Sequence, residues 1–170
     1  MTIFVTPEYL KAHTTVAQNV DVNDVVPLIR AVAESWVRPY IGTVFFNDLL
    51  EKFTAQTLNQ SEAELVQTYI KPSIAWRACA EAVITLSYQL KNKGVQTQSG
   101  EYSASTDFKN ISFIHQHYKD RADMYDAELV KFLEANGAAY PVFMSAANQP
   151  KISKQGCKTV DTFTAGILFI

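Results

Sequence analysis

FKNISFIHQHYKDRADMYDAELVKF, residues 108–132, is the stretch whose reading decides the fold. Phe108, Ile111, His115, Tyr118, Ala122, Tyr125, Leu129 and Phe132 recur in steps of three and four from end to end. That spacing lays a heptad-like seam along one face of a helix, and Asn136-Gly137 stops it. A helix from about Thr106 to Ala135 is roughly 45 Å long at 1.5 Å per residue, longer than an average globular helix. Part of it is therefore expected to pack outside its own core.

Upstream, the same kind of pattern repeats. Thr6-Pro7 signals a helix start, because proline at the first helical position lacks an N–H that would be unpaired there, and a short helix over 7–13 follows. Val22, Val25, Val26, Ile29, Val32, Ala33, Trp36, Val37 and Tyr40 form one buried stripe that ends before Gly42, with a kink or early stop at Pro39. Thr43 can cap a helix carrying Phe45, Phe46, Leu49, Leu50 and Phe53 on one face and closing around Thr54 to Gln56. Ser61 with Glu64 has the spacing of a capping box, which starts a helix at Glu62 that Lys71-Pro72 breaks or bends. From Ser73 a stripe of Trp76, Cys79, Ala80, Val83, Leu86, Ser87 and Leu90 runs on to Lys91-Asn92-Lys93-Gly94, and its alanines let neighbours approach closely. Between Val95 and Ser105 the periodicity disappears, as in an exposed loop or a slight hairpin around Ser99-Gly100.

The fold class is thus mainly α: a small helical bundle over 1–136 with one long C-terminal helix, followed by an extended arm over 137–170 with one or two short β-strands. The arm ends in Thr162-Phe163-Thr164-Ala165-Gly166-Ile167-Leu168-Phe169-Ile170. Such an apolar end has to be covered by its own domain or by a neighbour.

A chain of 170 residues, 48% hydrophobic, is long enough for one cored domain. Fifteen basic residues face seventeen acidic ones without a block of either sign, so net charge points to neither nucleic acid nor membrane as a partner. Two cysteines, Cys79 and Cys157, make neither a disulfide framework nor a zinc ligand set, which suits a reducing compartment. With no leader-like start and no run approaching about 18 apolar residues, a soluble, unexported protein is expected.

Chemical motifs are scarce. There is no Gly-Lys-Ser/Thr phosphate loop, no G-x-G-x-x-G and no G-x-S-x-G. His115 and His117 point about 200° apart on a helix and cannot readily share a metal. His117 and Asp120 could reach one ion across a turn, but Asp120, Asp123 and Asp126 read more simply as a solvated outer face. No catalytic residue, cofactor or metal is expected.

The stretch Ile29-Arg30-Ala31-Val32-Ala33-Glu34-Ser35-Trp36-Val37-Arg38-Pro39-Tyr40-Ile41-Gly42, followed by Phe45-Phe46 and Leu49-Leu50, resembles the head–tail connector (adaptor) proteins of tailed bacteriophages, especially those infecting Bacteroidetes. An alanine-rich central helix, a turn at Lys93-Gly94 and a long helix ending Phe132-Leu133-Glu134 follow in the order of that family, over roughly residues 7–136. The resemblance implies a non-enzymatic virion protein, assembled in the bacterial cytoplasm as a ring, commonly dodecameric, beneath the portal, with DNA passing through. Its partners would be further copies, the portal, other neck or tail rings and non-specific DNA, with no membrane. Candidate subunit or portal contacts are Tyr118, Tyr125 and Phe132 on the seam and Phe163, Ile167, Leu168, Phe169 and Ile170 at the chain end. Lys91, Lys93, Lys151, Lys154 and Lys158 are candidate DNA-facing or phosphate contacts.

Two other readings come from different classes. One is a helical ligand-binding or regulatory bundle with Trp36, Trp76 and Tyr118 around an internal pocket. The other is a metal-dependent hydrolase built on His115, His117 and the helix aspartates, which lacks convergent ligand spacing.

Overall fold

A computed structural model describes residues 3–91, 94–97 and 108–154. The chain is mainly helical. In order come α1 (Pro7–His13), α2 (Val22–Val32) running through a π-helical turn (Ala33–Val37) into α3 (Arg38–Ile41), α4 (Thr43–Ala55), and α5 (Gln60–Glu64) running through a second π segment (Leu65–Ile70) into α6 (Lys71–Ser87). A hairpin of β1 (Tyr88–Lys91) and β2 (Gly94–Thr97) follows, then α7 (Phe108–Asn136), a short 3₁₀ turn (Gly137–Ala139) and α8 (Pro141–Met144).

The starts of these helices are local chemistry. Thr6 Oγ1 accepts the Tyr9 N–H at 3.2 Å, as its place before Pro7 implies. Asp21 accepts the Asn23 N–H at 2.8 Å at the head of α2. The capping box before α5 sits two residues earlier than Ser61/Glu64: Asn59 Oδ1 accepts the Glu62 N–H at 2.9 Å, and Glu62 Oε2 accepts the Asn59 N–H at 3.0 Å. Glu62 is also held by Lys52 Nζ at 2.6 Å, and that ion pair selects the earlier box. Thr43 is the first residue of α4 and caps nothing.

Neither Pro39 nor Pro72 stops its helix: of the kink or early stop expected at Pro39 and the break or bend expected at Pro72, the stop and the break do not occur. In both cases the turn just upstream is widened: Arg38 N–H reaches back five residues to Ala33 O, and Lys71 N–H five residues to Val66 O. A proline has no N–H to offer, and its ring crowds the carbonyl four residues back. A π turn placed immediately before it absorbs the interruption, and the helix continues.

Helix α6 is the centre of the bundle. It packs along α7 on one side and α2 on the other, with α1 also against it. Every residue from Ser73 to Ala80 is buried, so here the helix is surrounded rather than striped. Ala75, Ala78, Ala80 and Ala82 permit that crowding. On α7 the predicted seam is the packed face: Ile111, Ala122 and Leu129 are buried, and His115, Tyr118, Tyr125 and Phe132 are half-buried. Leu90 does not extend the α6 stripe; it belongs to β1, paired with Val95 of β2. The pairing runs from Tyr88–Thr97 to Lys91–Gly94, and Ser99-Gly100, where a slight hairpin was expected, lies outside the described residues.

The division expected after residue 136 falls inside the packed unit. Tyr140, Phe143 and Ile152 are buried in the main core, and Phe143 meets Phe45 edge-on at 5.6 Å. Over residues 137–154 the expected extended arm is a short helix and a fixed turn. The strands expected nearer the chain end lie outside the described residues.

A single side chain fastens this segment. Asn148, fully buried, accepts the Phe45 N–H at 3.2 Å and donates through Nδ2 to Ile41 O at 2.9 Å and Phe143 O at 3.2 Å. It therefore caps the end of α3 and the start of α4 together. Pro39 O accepts the Lys151 N–H at 3.0 Å, Tyr40 O the Ile152 N–H at 3.2 Å, and Arg38 O the Gly42 N–H at 2.9 Å. Each carbonyl from Arg38 to Ile41, orphaned by the helix end, thus has its donor. Gly42 has φ +88°, and a Cβ there would lie 2.0 Å from Asn148 Oδ1.

Gly42→Ala combines left-handed strain with that collision and is expected to cost about 3 kcal/mol. Asn148→Ala, which leaves buried groups unpaired, is expected to cost about 2–4 kcal/mol. Urea unfolding checks both; midpoints no lower than for an exposed-residue control would contradict the capping role. A third expectation concerns alkali. Burial, with Glu64, Glu62 and Tyr69 nearby, pushes the Tyr140 phenol up to about 12. In the unfolded chain it ionises near its ordinary value of about 10, so its contribution is complete below that pH and is lost as pH rises towards the folded value. Thermal melts should fall across this window and fall less steeply in Tyr140→Phe.

Candidate functional site

The buried stretch of α6 carries one full charge, Arg77, and the site is built around it. Its side chain is only 7% exposed. One guanidinium nitrogen donates to Asp123 Oδ1 at 2.5 Å and to Asp126 Oδ2, both on α7. The guanidinium carbon lies 4.1 Å from the centre of the Trp36 ring, on the π turn after α2.

Asp126 collects three donors. Beside Arg77 it accepts Trp36 Nε1–H at 2.7 Å and the Ser73 hydroxyl. Asp123 Oδ2 accepts from Lys119 Nζ at 3.1 Å. Burial works to raise the Asp123 pKa, but the hydrogen bonds from Arg77 and Lys119 outweigh it, and the carboxyl lies below its ordinary value. Burial likewise works against the Arg77 charge, and the two aspartates more than compensate.

This corrects the reading of the helix aspartates as a solvated face. Asp120 does face outward, held by Gln116 Nε2 at 2.6 Å. Asp123 and Asp126 instead form a polar strut joining the π turn, α6 and α7. Asp126 sits one residue past the seam position Tyr125, on the flank that α6 covers. The signal available in the sequence was a lone arginine inside the apolar run from Ser73 to Ala80.

Ser73 beside Asp126 is not arranged for nucleophilic chemistry. Its hydroxyl is fully buried, and its partner carboxylate is already held by Arg77 and Trp36. Among the described residues, no three His, Cys, Asp or Glu side chains converge on a metal position.

Two concavities flank the outer half of α6. A cleft of about 410 Å³ opens over the strut, bounded by Val32, Trp36, Arg77, Ala80, His115 and Lys119. A groove of about 320 Å³ on the other side is lined by Val16, Val20, Cys79, Val83, Leu86 and Tyr118, among others, and none of the described residues bordering it is charged. Trp36 therefore lines the cleft while Tyr118 lines the groove. Trp76 packs with Tyr118 at 6.2 Å and stacks with Tyr125 at 6.5 Å, so the three aromatics expected around one pocket do not share one.

The seam residues marked as subunit contacts are engaged within the chain: Tyr118 and Tyr125 on Trp76, and Phe132 stacked on Tyr69 at 4.2 Å. Lys154 is turned inward, its Nζ donating to Ser145 O at 2.6 Å and to Asn148 O, and so serves as a cap rather than a phosphate contact. Lys151 is exposed, with its ammonium 5.6 Å from the Tyr40 ring. Lys91 lies in β1. Lys93, Lys158, Phe163, Ile167, Leu168, Phe169 and Ile170 lie outside the described residues.

The model of a family of unknown function, DUF6712, matches residues 37–151. The chain belongs to this family. The DUF6712 span begins at Val37, in the turn before Pro39, and ends at Lys151, whose N–H binds Pro39 O; its two ends meet at the Asn148 corner. Trp36 of the strut falls one residue outside it. No curated protein and no solved structure matches the chain.

Removing Arg77 alone would strand Asp126, whose side chain is 11% exposed, as a buried unpaired charge. Arg77→Met is therefore expected to cost about 3–5 kcal/mol, and the pair Arg77→Met with Asp126→Leu to recover most of that. A double-mutant cycle in urea measures it; additive losses would show that the two do not act as one unit.

Proposed function

We propose that this protein is a non-enzymatic assembly subunit that forms a ring in the head–tail connector of a tailed bacteriophage, beneath the portal and around the DNA path. The observation that carries the reading is exposed apolar surface on α7 near its start and on the facing second half of α6. Phe113 on α7 is 75% exposed, and Ile114 beside it and Ile84 on α6 are also exposed. Large apolar side chains exposed together near the start of a long helix mark a surface for another protein. The interior charges Arg77, Asp123 and Asp126 support the same reading, since they are engaged with one another in a strut between helices. The likeness of Ile29–Gly42 and the following Phe45-Phe46 to connector proteins supplies the phage assignment.

A second reading is favoured by the cleft over Arg77. Its volume of about 410 Å³ and its walls of Val32, Trp36 and His115 suit a small, mostly apolar ligand in a regulatory bundle.

Light scattering and negative-stain imaging of the purified protein, alone and mixed with the portal, test the two together. Rings, formed spontaneously or on the portal, are the expected outcome, and Phe113→Asp should weaken them roughly tenfold while leaving helix content unchanged. A monomer or dimer indifferent to the portal, and stabilised by a small molecule that Trp36→Ala abolishes, would establish the second reading instead.

A further inference from the structure

We propose that the cleft over Arg77 binds a small uncharged ligand with a carboxamide-type edge, a carbonyl beside an N–H, carried on an apolar ring. The inference rests on the ligand reading of that cleft, names the class of ligand, and is independent of the ring reading.

The donor for such a ligand is Arg77. A guanidinium can donate from all of its nitrogens. Both hydrogen bonds of Arg77 leave from Nη2, to Asp123 and Asp126, so the N–H bonds of Nη1 and Nε have no acceptor among the described residues. Of these two atoms, Nε alone is sealed within the packing. Arg77 also lines the cleft, through a side chain only 7% exposed. A donor held so deeply without an acceptor is costly, and a carbonyl oxygen seated in the cleft relieves it.

The acceptor is Glu81. It follows Arg77 by four residues on α6, so the two side chains share a face of that helix, and both line the cleft. Glu81 is exposed, and its carboxylate has no partner among the described residues. A ligand N–H can therefore meet Glu81 while the neighbouring carbonyl meets Arg77. His115, also in the lining, can donate or accept there.

The balance of charge selects against ions. Arg77 and Lys119, the cations of the lining, are both paired with aspartates, whereas Glu81 is in no ion pair among the described residues. An anion would gain little from cations already neutralised and would be repelled by Glu81. A cation would bring donors to Arg77, which lacks an acceptor and not a donor. The apolar half of the ligand has its own wall in Leu28, Ala31 and Val32 of α2 and the ring of Trp36. At about 410 Å³ the cleft falls within the span of ligand pockets, roughly 300–1,000 Å³.

Benzamide, benzoate and benzamidine have nearly one shape and carry, in turn, the carbonyl with its N–H, acceptors with a negative charge, and donors with a positive charge. Each is titrated into the ¹⁵N-labelled full-length chain and followed at the indole N–H of Trp36, with Trp76, which does not line the cleft, as internal control. Benzamide should shift Trp36 saturably with a dissociation constant on the order of 1 mM, as befits so small a molecule. Benzoate and benzamidine should bind at least roughly tenfold more weakly. Glu81→Gln should narrow the gap between benzoate and benzamide by about threefold or more; an unchanged gap would overturn the role of Glu81. Ala31→Trp, which fills the cleft from α2 without touching the strut, should abolish the Trp36 shift, and a shift that survives it would overturn the site. Benzoate or benzamidine binding as tightly as benzamide would sink the carboxamide class and leave a ligand cleft standing. No saturable shift with any of the three up to about 20 mM would sink both the class and the ligand reading, with the ring reading untouched.

Discussion

A positive charge in the middle of the central helix is the constraint around which the bundle is organised. Arg77 cannot be buried without partners, because the cost of removing an unpaired ion from water exceeds any stability that packing at one position returns. The partners come from elsewhere in sequence: Asp123 and Asp126 on α7, with Trp36 closing over the guanidinium. Helix α6 therefore has a defined register and a defined rotation against both of its neighbours. Packing of alanines alone would leave that register loose, since small side chains offer few distinguishing knobs.

The other organising feature is backbone accounting at the Pro39–Gly42 corner. A helix that ends inside a core leaves carbonyls without donors, and the helix that starts right after it leaves N–H groups without acceptors. No side chain near Gly42 in sequence fills either role; Asn148 and the backbone of Lys151 and Ile152 do. The two prolines belong to the same economy of the backbone, since each is preceded by a widened turn that keeps its helix continuous and delivers the next element in place. Trp36 owes its position over Arg77 to one of those turns.

These features bear on function together. Arg77, Asp123, Asp126, Ser73 and Trp36 bond to one another in the interior, with Arg77 Nε alone of their buried atoms left without a partner among the described residues, and Ile84, Phe113 and Ile114 are exposed beyond them on α6 and α7. The Asn148 corner closes the core at the other end.

Much of the bundle was legible in the order of residues, because helical periodicity and caps are local. The seam from Ile111 to Phe132, the stripe from Val25 to Val37 and the Thr6-Pro7 start all follow from spacing and from unpaired N–H groups at helix ends, whereas Val22 and Val26, read into the same stripe, are exposed. Three things were settled only in three dimensions. Proline's effect on its helix depended on whether the turn before it could widen, which packing decides. The division after residue 136 looked real because proline, glycine and lost periodicity follow it, yet Tyr140, Phe143 and Asn148 find partners about a hundred residues earlier. Asp126 looked solvated because a helical wheel assigns faces without knowing how wide the contact with α6 will be. Burial on that flank, and so the pairing with Arg77, is a property of the assembled helices and not of any one of them.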